Sequence, residues 1–194
     1  NAVGSITCNT ALILGIAALV KPLPFKKSDI NIQNNILLFV VIILVACSFI
    51  YAFTTGTNPF INGSRLSQWI GFVFIVLLFA YIIFSIKNKS NKSSNEEITS
   101  SIVLIVIKMI IGILLVILSS KILIPTIKEF AQRILIPDSV IAATLVAFGT
   151  SLPELITAIT AAKKGYGDLA IGNVIGANIL NVLLVVGAST SLTP

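Results

Sequence analysis

The chain contains no histidine, only two cysteines and one methionine, and just 10% of its residues are charged. Without histidine it lacks the commonest general base and the commonest ligand for zinc or copper. Cys8 and Cys47 both fall inside apolar runs, where a small buried side chain is the expected role rather than a disulfide or a metal ligand. Redox compartment is therefore not informed. Acidic residues are scarce, seven against thirteen Lys and Arg. Asp29, Glu96, Glu97, Glu129, Asp138 and Asp168 lie in or beside polar connections. Glu154 alone lies deep in an apolar run, and an ionisable group placed there usually marks an ion or proton path.

What is abundant is apolar: 56% of 194 residues are hydrophobic, and the mean hydropathy is +1.05. No soluble domain of this length buries so much apolar surface, so the expected class is an all-α, polytopic membrane protein. The net charge of +6 comes from lysines in short loops, which orient membrane proteins, and does not point to nucleic acid. The chain opens at Asn1 inside an apolar segment, without Met or a leader, and so reads as part of something longer.

Six spans are expected, at about 2–20, 36–53, 67–86, 101–123, 139–162 and 169–192, each near the ~20 residues that cross a bilayer. The odd connections hold Lys21, Lys26, Lys27, Lys87, Lys89, Lys92, Lys163 and Lys164; the even ones hold Arg65, Lys128 and Arg133. By the positive-inside rule the odd connections are cytoplasmic, and the first and sixth spans run in opposite directions. The stretch 88–100, rich in Ser, Asn, Lys and Glu, reads as a cytoplasmic linker between residues 1–87 and 101–194. Asn58-Pro59 and Asn62-Gly63 mark an external loop, and Asn62-Gly63-Ser64 is a weak match to a glycosylation sequon.

The stretch Gly149-Thr150-Ser151-Leu152-Pro153-Glu154 carries the sharpest chemistry. Proline lacks an N–H and crowds the carbonyl four residues back, here that of Gly149, so the helix is expected to break between Gly149 and Leu152 and free that carbonyl. Glu154 then sits in the first turn of a new half-helix, beside the hydroxyls of Thr150 and Ser151. Oxygen ligands around one carboxylate suit a hard cation such as Na⁺ or Ca²⁺. A kink of this kind alone is often only packing. The carboxylate inside it favours function.

An internal repeat appears when residue 1 is laid on residue 173. Asn1, Gly4, Asn9, Leu12, Gly15 and Pro22 then meet Asn173, Gly176, Asn181, Leu184, Gly187 and Pro194 without a gap. With the two spans antiparallel, the repeat is inverted, as in many secondary transporters. Helical spacing puts Asn1, Ser5 and Asn9 on one face and Asn173, Ala177 and Asn181 on the matching face. Asn9 and Asn181, repeated in register, read as ion ligands, while Asn178 reads equally as a ligand or as an interhelical hydrogen-bonding amide. Lys108 and Lys121 are expected to snorkel.

The Gly149–Glu154 motif, followed by Gly172-Asn173-Val174-Ile175-Gly176-Ala177-Asn178, resembles the second alpha-repeat of the calcium:cation antiporters, the sodium/calcium exchanger superfamily, especially its prokaryotic members. Asn1-Ala2-Val3-Gly4-Ser5 and Lys21-Pro22-Leu23-Pro24-Phe25 resemble the tail of the first repeat. The resemblance implies two inverted five-helix halves, of which this chain runs from the third helix to the eighth. Residues 1–87 would end the first repeat and residues 101–194 would carry three spans of the second, with helices missing at both ends. It implies ligands at Ser5 and Asn9 in the first repeat. In the second it implies Ala147, through its carbonyl, and Thr150, Ser151, Glu154, Ala177 and Asn181. Ala177 stands where the family usually has Ser, Ile6 where the repeat consensus has Asn, and Asn181 where some members have Asp.

The leading expectation is a multi-pass cell-membrane antiporter exchanging Ca²⁺ for Na⁺ by alternating access, with no resident cofactor and the ions as cargo. A cation/proton exchanger of the same superfamily is the neighbouring reading, with H⁺ or K⁺ as other coupling ions. The expected partners are the ions, the bilayer and the remaining helices of the same protein, with no nucleic acid. An intramembrane serine hydrolase using Ser151 and Lys108 belongs to a different class. It is disfavoured because Pro153 stands where a nucleophile elbow has Gly, no histidine is present and nothing brings Lys108 to Ser151. A third reading is a membrane fragment that does not transport.

Overall fold

The structure, a computed structural model, describes residues 1–25, 27–56, 66–87, 102–133, 135 and 137–192. The stretch 88–100 and the Asn62 sequon lie outside the described residues. The chain forms helices α1 (Ala2–Val20), α2 (Lys27–Thr54), α3 (Gln68–Lys87), α4 (Ile102–Arg133), the pair α5 (Ser139–Thr150) and α6 (Leu152–Lys164), and α7 (Gly167–Leu192). Among the described residues, 2–20, 30–54, 68–87 and 167–192 are each long and apolar enough to cross a membrane, and α5 with α6 qualifies as one span bent by 43°.

Helices stand at every expected span, with two boundaries displaced. α2 begins at Lys27 rather than near 36, because Asn31, Gln33, Asn34 and Asn35 continue the helix instead of ending it. Amide side chains lower hydropathy without stopping a helix. α4 runs on to Arg133, past the expected end at 123, with Pro125 inside it. Proline there removes one backbone bond; beside it, the Thr126 hydroxyl bonds the Ile122 carbonyl at 2.8 Å.

α7 is the hub, packed against α1, α2, α3 and α6. Hydrophobicity does not drive one helix against another in lipid, so close approach and fit must do so. Toward α1 and α6 the fit is made by small residues: Ala17, Ala158, Ala161, Ala162 and Ala170 are buried with Ile13 and Val174. Toward α2 and α3 larger side chains interlock, with Val40, Phe74 and Leu78 against Ile175, Ile179, Val182 and Leu183. Leu19, Phe53, Trp69 and Phe79 point outward, as they do on a surface facing lipid.

Close contacts fix the direction of each helix. A side chain on Gly167 would fall on Pro24, just beyond the end of α1, and Lys21 Nζ donates to the Lys163 carbonyl at 3.3 Å. Deeper in, Asn9 bonds Asn178, and residues 2–7 touch residues 181–186. As the index rises along α1 it falls along α7, so the two helices are antiparallel. At the far end Gln68 Nε2 donates to the Ser191 carbonyl at 2.8 Å, placing the start of α3 beside the end of α7. Gly165 closes α6 in the left-handed region at φ 84°. Its N–H reaches Ala162 O and that of Tyr166 reaches Ala161 O, both at 2.9 Å, a turn that glycine adopts without a Cβ clash.

Among the described residues three stretches are wound as π-helix: Cys8–Ile13, Ala142–Val146 and Asn181–Val186. The first and third occupy almost the same place in the two repeat copies, one residue apart. Each takes in its repeat asparagine, Asn9 or Asn181. Wider turns of this kind are frequent at functional sites.

Candidate ion-binding site

The fifth span breaks at Ser151, whose backbone (φ −94°, ψ 2°) is the end of α5 and the cap of α6, with Pro153 in the first turn of α6. This is the break expected between Gly149 and Leu152. The Gly149 carbonyl, however, is not released. The carbonyls of Ala147, Phe148 and Gly149 all accept backbone N–H groups at the cap, because the last turn of α5 tightens and brings the next amides within reach. The polarity at the break therefore comes from side chains.

Glu154 stands in the first turn of α6, where the partial positive charge of a helix start favours a carboxylate. It is half-buried, and its Oε2 is buried with no hydrogen-bond partner among the described residues. Facing it is one side of α7. Glu154, Gly172, Asn173, Gly176, Ala177, Leu180 and Asn181 line a cavity of about 380 Å³. Asn173 Nδ2 is also buried and unpaired. An orphaned carboxylate oxygen is costly unless something meets it. Among the described residues no three His, Cys, Asp or Glu side chains converge, so the donor set is one carboxylate with neutral oxygens. That set suits a hard cation rather than a transition metal.

A second cluster forms where α1 crosses α5. Thr150 Oγ1 donates to the Ala147 carbonyl at 3.0 Å and lies 3.4 Å from Ser5 Oγ. Thr150 has one proton and has given it to Ala147, so Ser5 is the donor to Thr150. The Ala147 carbonyl already takes the Ser151 N–H at 3.1 Å as well, and a cation binding there would replace one of these two. Ser151 is buried, and its side chain lies beside the Cys8 thiol.

A third cluster joins α1 to α7. Asn9 Nδ2 donates to Asn178 Oδ1 at 2.9 Å, and Asn178 Nδ2 donates to Thr10 Oγ1 at 2.9 Å. Both asparagines are 1% exposed, and Asn9 Oδ1 is left buried without a partner. Of the residues singled out in the sequence, the structure gathers Glu154, Ala177 and Asn181 on one cavity and Ser5, Ala147 and Thr150 in a hydroxyl cluster. Ser151 is buried at the break, beside Cys8, and Asn9 is bonded to Asn178. Two residues gain a place that sequence reasoning does not give them. Asn173 enters it only as part of a repeat face, and Cys8 only as a small side chain among apolar neighbours. In space Cys8 has Ser151 as its partner, and neither cysteine is fully buried. Lys108 is exposed on α4, whereas Ser151 is buried, with the Cys8 thiol beside it.

A bundle of long apolar helices, one of them split around a carboxylate, defines a polytopic helical protein of the cell membrane. The sequence profile of the family described as "Sodium/calcium exchanger protein" matches residues 1–87 and 104–194, and the chain belongs to that family. An uncharacterized membrane protein of Methanocaldococcus jannaschii, MJ0091, is 36% identical over 185 residues, covering 94% of this chain and 56% of its own length. The sodium/calcium exchanger MaX1 of Methanosarcina acetivorans is 29% identical, covering 100% of this chain and 64% of its own length. A solved structure of the sodium/calcium exchanger from Methanococcus jannaschii aligns with a TM-score of 0.62 at 31% identity, over 100% of this chain and 58% of that one. The chain thus spans between 56% and 64% of the length of these relatives.

Proposed function

We propose that a protein of the relatives' length containing this chain is a secondary antiporter that exchanges Ca²⁺ for Na⁺ by alternating access. The observation that carries this reading is the buried, unpartnered Glu154 Oε2 on a cavity at the break of a membrane helix. Glu154 is the anionic ligand, with Thr150, Ser151, Ser5, Asn9 and Asn181 supplying neutral oxygens around it. Ala147 and Ala177 mark the backbone edges of the site. Residues 1–87 are read as the end of the first repeat and 101–194 as part of the second, joined by a cytoplasmic linker at 88–100. The antiparallel course of α1 and α7 and the two-block family match support that division. In a protein of full length, further helices close the open side of the cavity, and the site alternates between the two faces of the membrane.

The test is flux of radiolabelled Ca²⁺ into vesicles holding the full-length protein, driven by an outward Na⁺ gradient. Glu154→Gln should abolish that flux while the protein remains inserted, since the substitution keeps shape and removes the charge on which a hard cation depends. Wild-type Na⁺-driven flux in the variant would sink the assignment of Glu154. Flux driven by a pH gradient and indifferent to Na⁺ would move the protein to the proton-coupled reading.

A further inference from the structure

The repeat offset that lays Asn9 on Asn181 also lays Ile6 on Asn178. In an antiparallel pair of repeated helices each contact has a mirror image, and the mirror of the Asn9–Asn178 bond joins Asn181 to residue 6. That second bond does not exist here. Ile6 has no polar atom to offer, and it packs with Ile179, Val182 and Leu183 in the apolar cluster. Among the described residues Asn181 makes no side-chain hydrogen bond, although it lines the Glu154 cavity. Asn9 is held on both counts. Its amide N–H₂ is given to Asn178, which is itself anchored to Thr10, and its carbonyl oxygen is turned into a buried position with no partner.

Resting on the ion-site reading above, we propose that Asn178 is a positioning residue that fixes the Asn9 carbonyl as a rigid ligand. Ile6 leaves Asn181 as an adjustable one, so a single residue difference between the repeats sets the site's cation preference. Partners that orient a ligand govern affinity almost as strongly as the ligand does. A fixed oxygen favours one ion radius, and an amide free to turn accommodates two.

The experiment is calorimetric titration of the purified full-length protein with Ca²⁺ and, separately, Na⁺, with thermal midpoints measured alongside. Asn178→Leu should weaken Ca²⁺ binding roughly 10–100-fold and change the Ca²⁺-to-Na⁺ affinity ratio. Adding Asn9→Ala to it should then cost little more, since the carbonyl is already unfixed. Ile6→Asn supplies the missing mirror bond, and should tighten Ca²⁺ binding roughly tenfold while changing Na⁺ binding less. A packing role alone would lower the thermal midpoint and leave the affinity ratio unmoved, and that result overturns the proposal. If Asn178→Leu does not fold, Ile6→Asn decides: unchanged affinities for both ions overturn it. Glu154→Gln, run in parallel, separates the two levels. Lost binding in Glu154→Gln beside wild-type affinities in Ile6→Asn removes the positioning claim and leaves the site. Wild-type binding in Glu154→Gln removes the site and this proposal with it.

Discussion

Gly4 and Gly176 occupy the same place in the two repeat copies, as do Gly15 and Gly187, yet within each pair the surroundings are reversed. A Cβ on Gly4 would run into the Ala143 backbone, whereas among the described residues nothing lies within 4 Å of one on Gly176. A Cβ on Gly187 would meet Phe74 Cβ at 3.0 Å, and around Gly15 there is again nothing within 4 Å. The contacts this chain makes to the first copy gather at its start, and those to the last copy gather toward its end. Repetition fixes local shape, including the shared π-turns, but each neighbour is chosen by the rest of the bundle. Register carries a role between the copies for contacts within the α1–α7 pair itself, and not for contacts made to other helices.

The sharpest way to break this comparison is to add the same bulk to both mates of a pair. Gly4→Val forces α1 away from α5, because all three nearest atoms are backbone and none can rotate aside. It should cost at least the upper end of the about 1–3 kcal/mol of overpacking, seen as a collapse of folded yield and a lowered thermal midpoint in detergent. Gly176→Val puts the same bulk into the cavity that Glu154 lines, and should weaken Ca²⁺ binding while lowering the midpoint less than Gly4→Val does. Equal losses would mean that the asymmetry does not exist in the folded protein.

The second pair should differ in sign. Gly187→Ala must push on Phe74 and should destabilise by about 1 kcal/mol net of its better helix propensity. Gly15→Ala meets nothing and should stabilise by about 0.5–1 kcal/mol. A shift of both midpoints in one direction contradicts the packing described here.

The smallest effect is expected at a mate pair that differs in chemistry. Ser5 offers a hydroxyl to Thr150, and its counterpart Ala177 offers none to the cavity it lines. Ala177→Ser should tighten Ca²⁺ or Na⁺ binding a few-fold in calorimetric titration, by adding one oxygen near Glu154. Unchanged affinity for both ions would place position 177 outside the ion's reach.

Much of this architecture was legible in the sequence. Apolar runs of membrane-crossing length mark helices wherever they occur, and Pro153 after Gly149 marks the break, because neither signal depends on tertiary context. The antiparallel course of the first and last spans followed from loop lysines, and the structure shows it through contacts of Pro24, Asn9 and Gly167. Other features were out of reach. The π-turns carry no residue signature, since CNTALI, AATLV and NVLLVV share no pattern that sets them apart from the α-helical turns around them. The Gly149 carbonyl was expected to be free because proline removes its usual partner, but a tightened turn supplies another. The equal readings of Asn178 turned on which side chain met it across the helix pair, and only the fold put Asn9 and Thr10 there.

A membrane helix ordinarily shows its backbone ends only to the two headgroup layers. By parting at Ser151, midway along its course, the fifth span creates a third polar level in the depth of the bundle, with the start of α6 and Glu154 both on it. The partly positive start of α6 meets the partly negative end of α5 at the same residue, so the two offset each other and the Glu154 carboxylate dominates the level. A cation bound there would offset the carboxylate, so that the occupied and empty forms would differ in net charge inside the membrane's electric field. At ~2.3 kcal/mol per elementary charge per 100 mV across the full membrane, voltage then becomes a coordinate of the protein's own equilibrium, set by where one helix was made to stop.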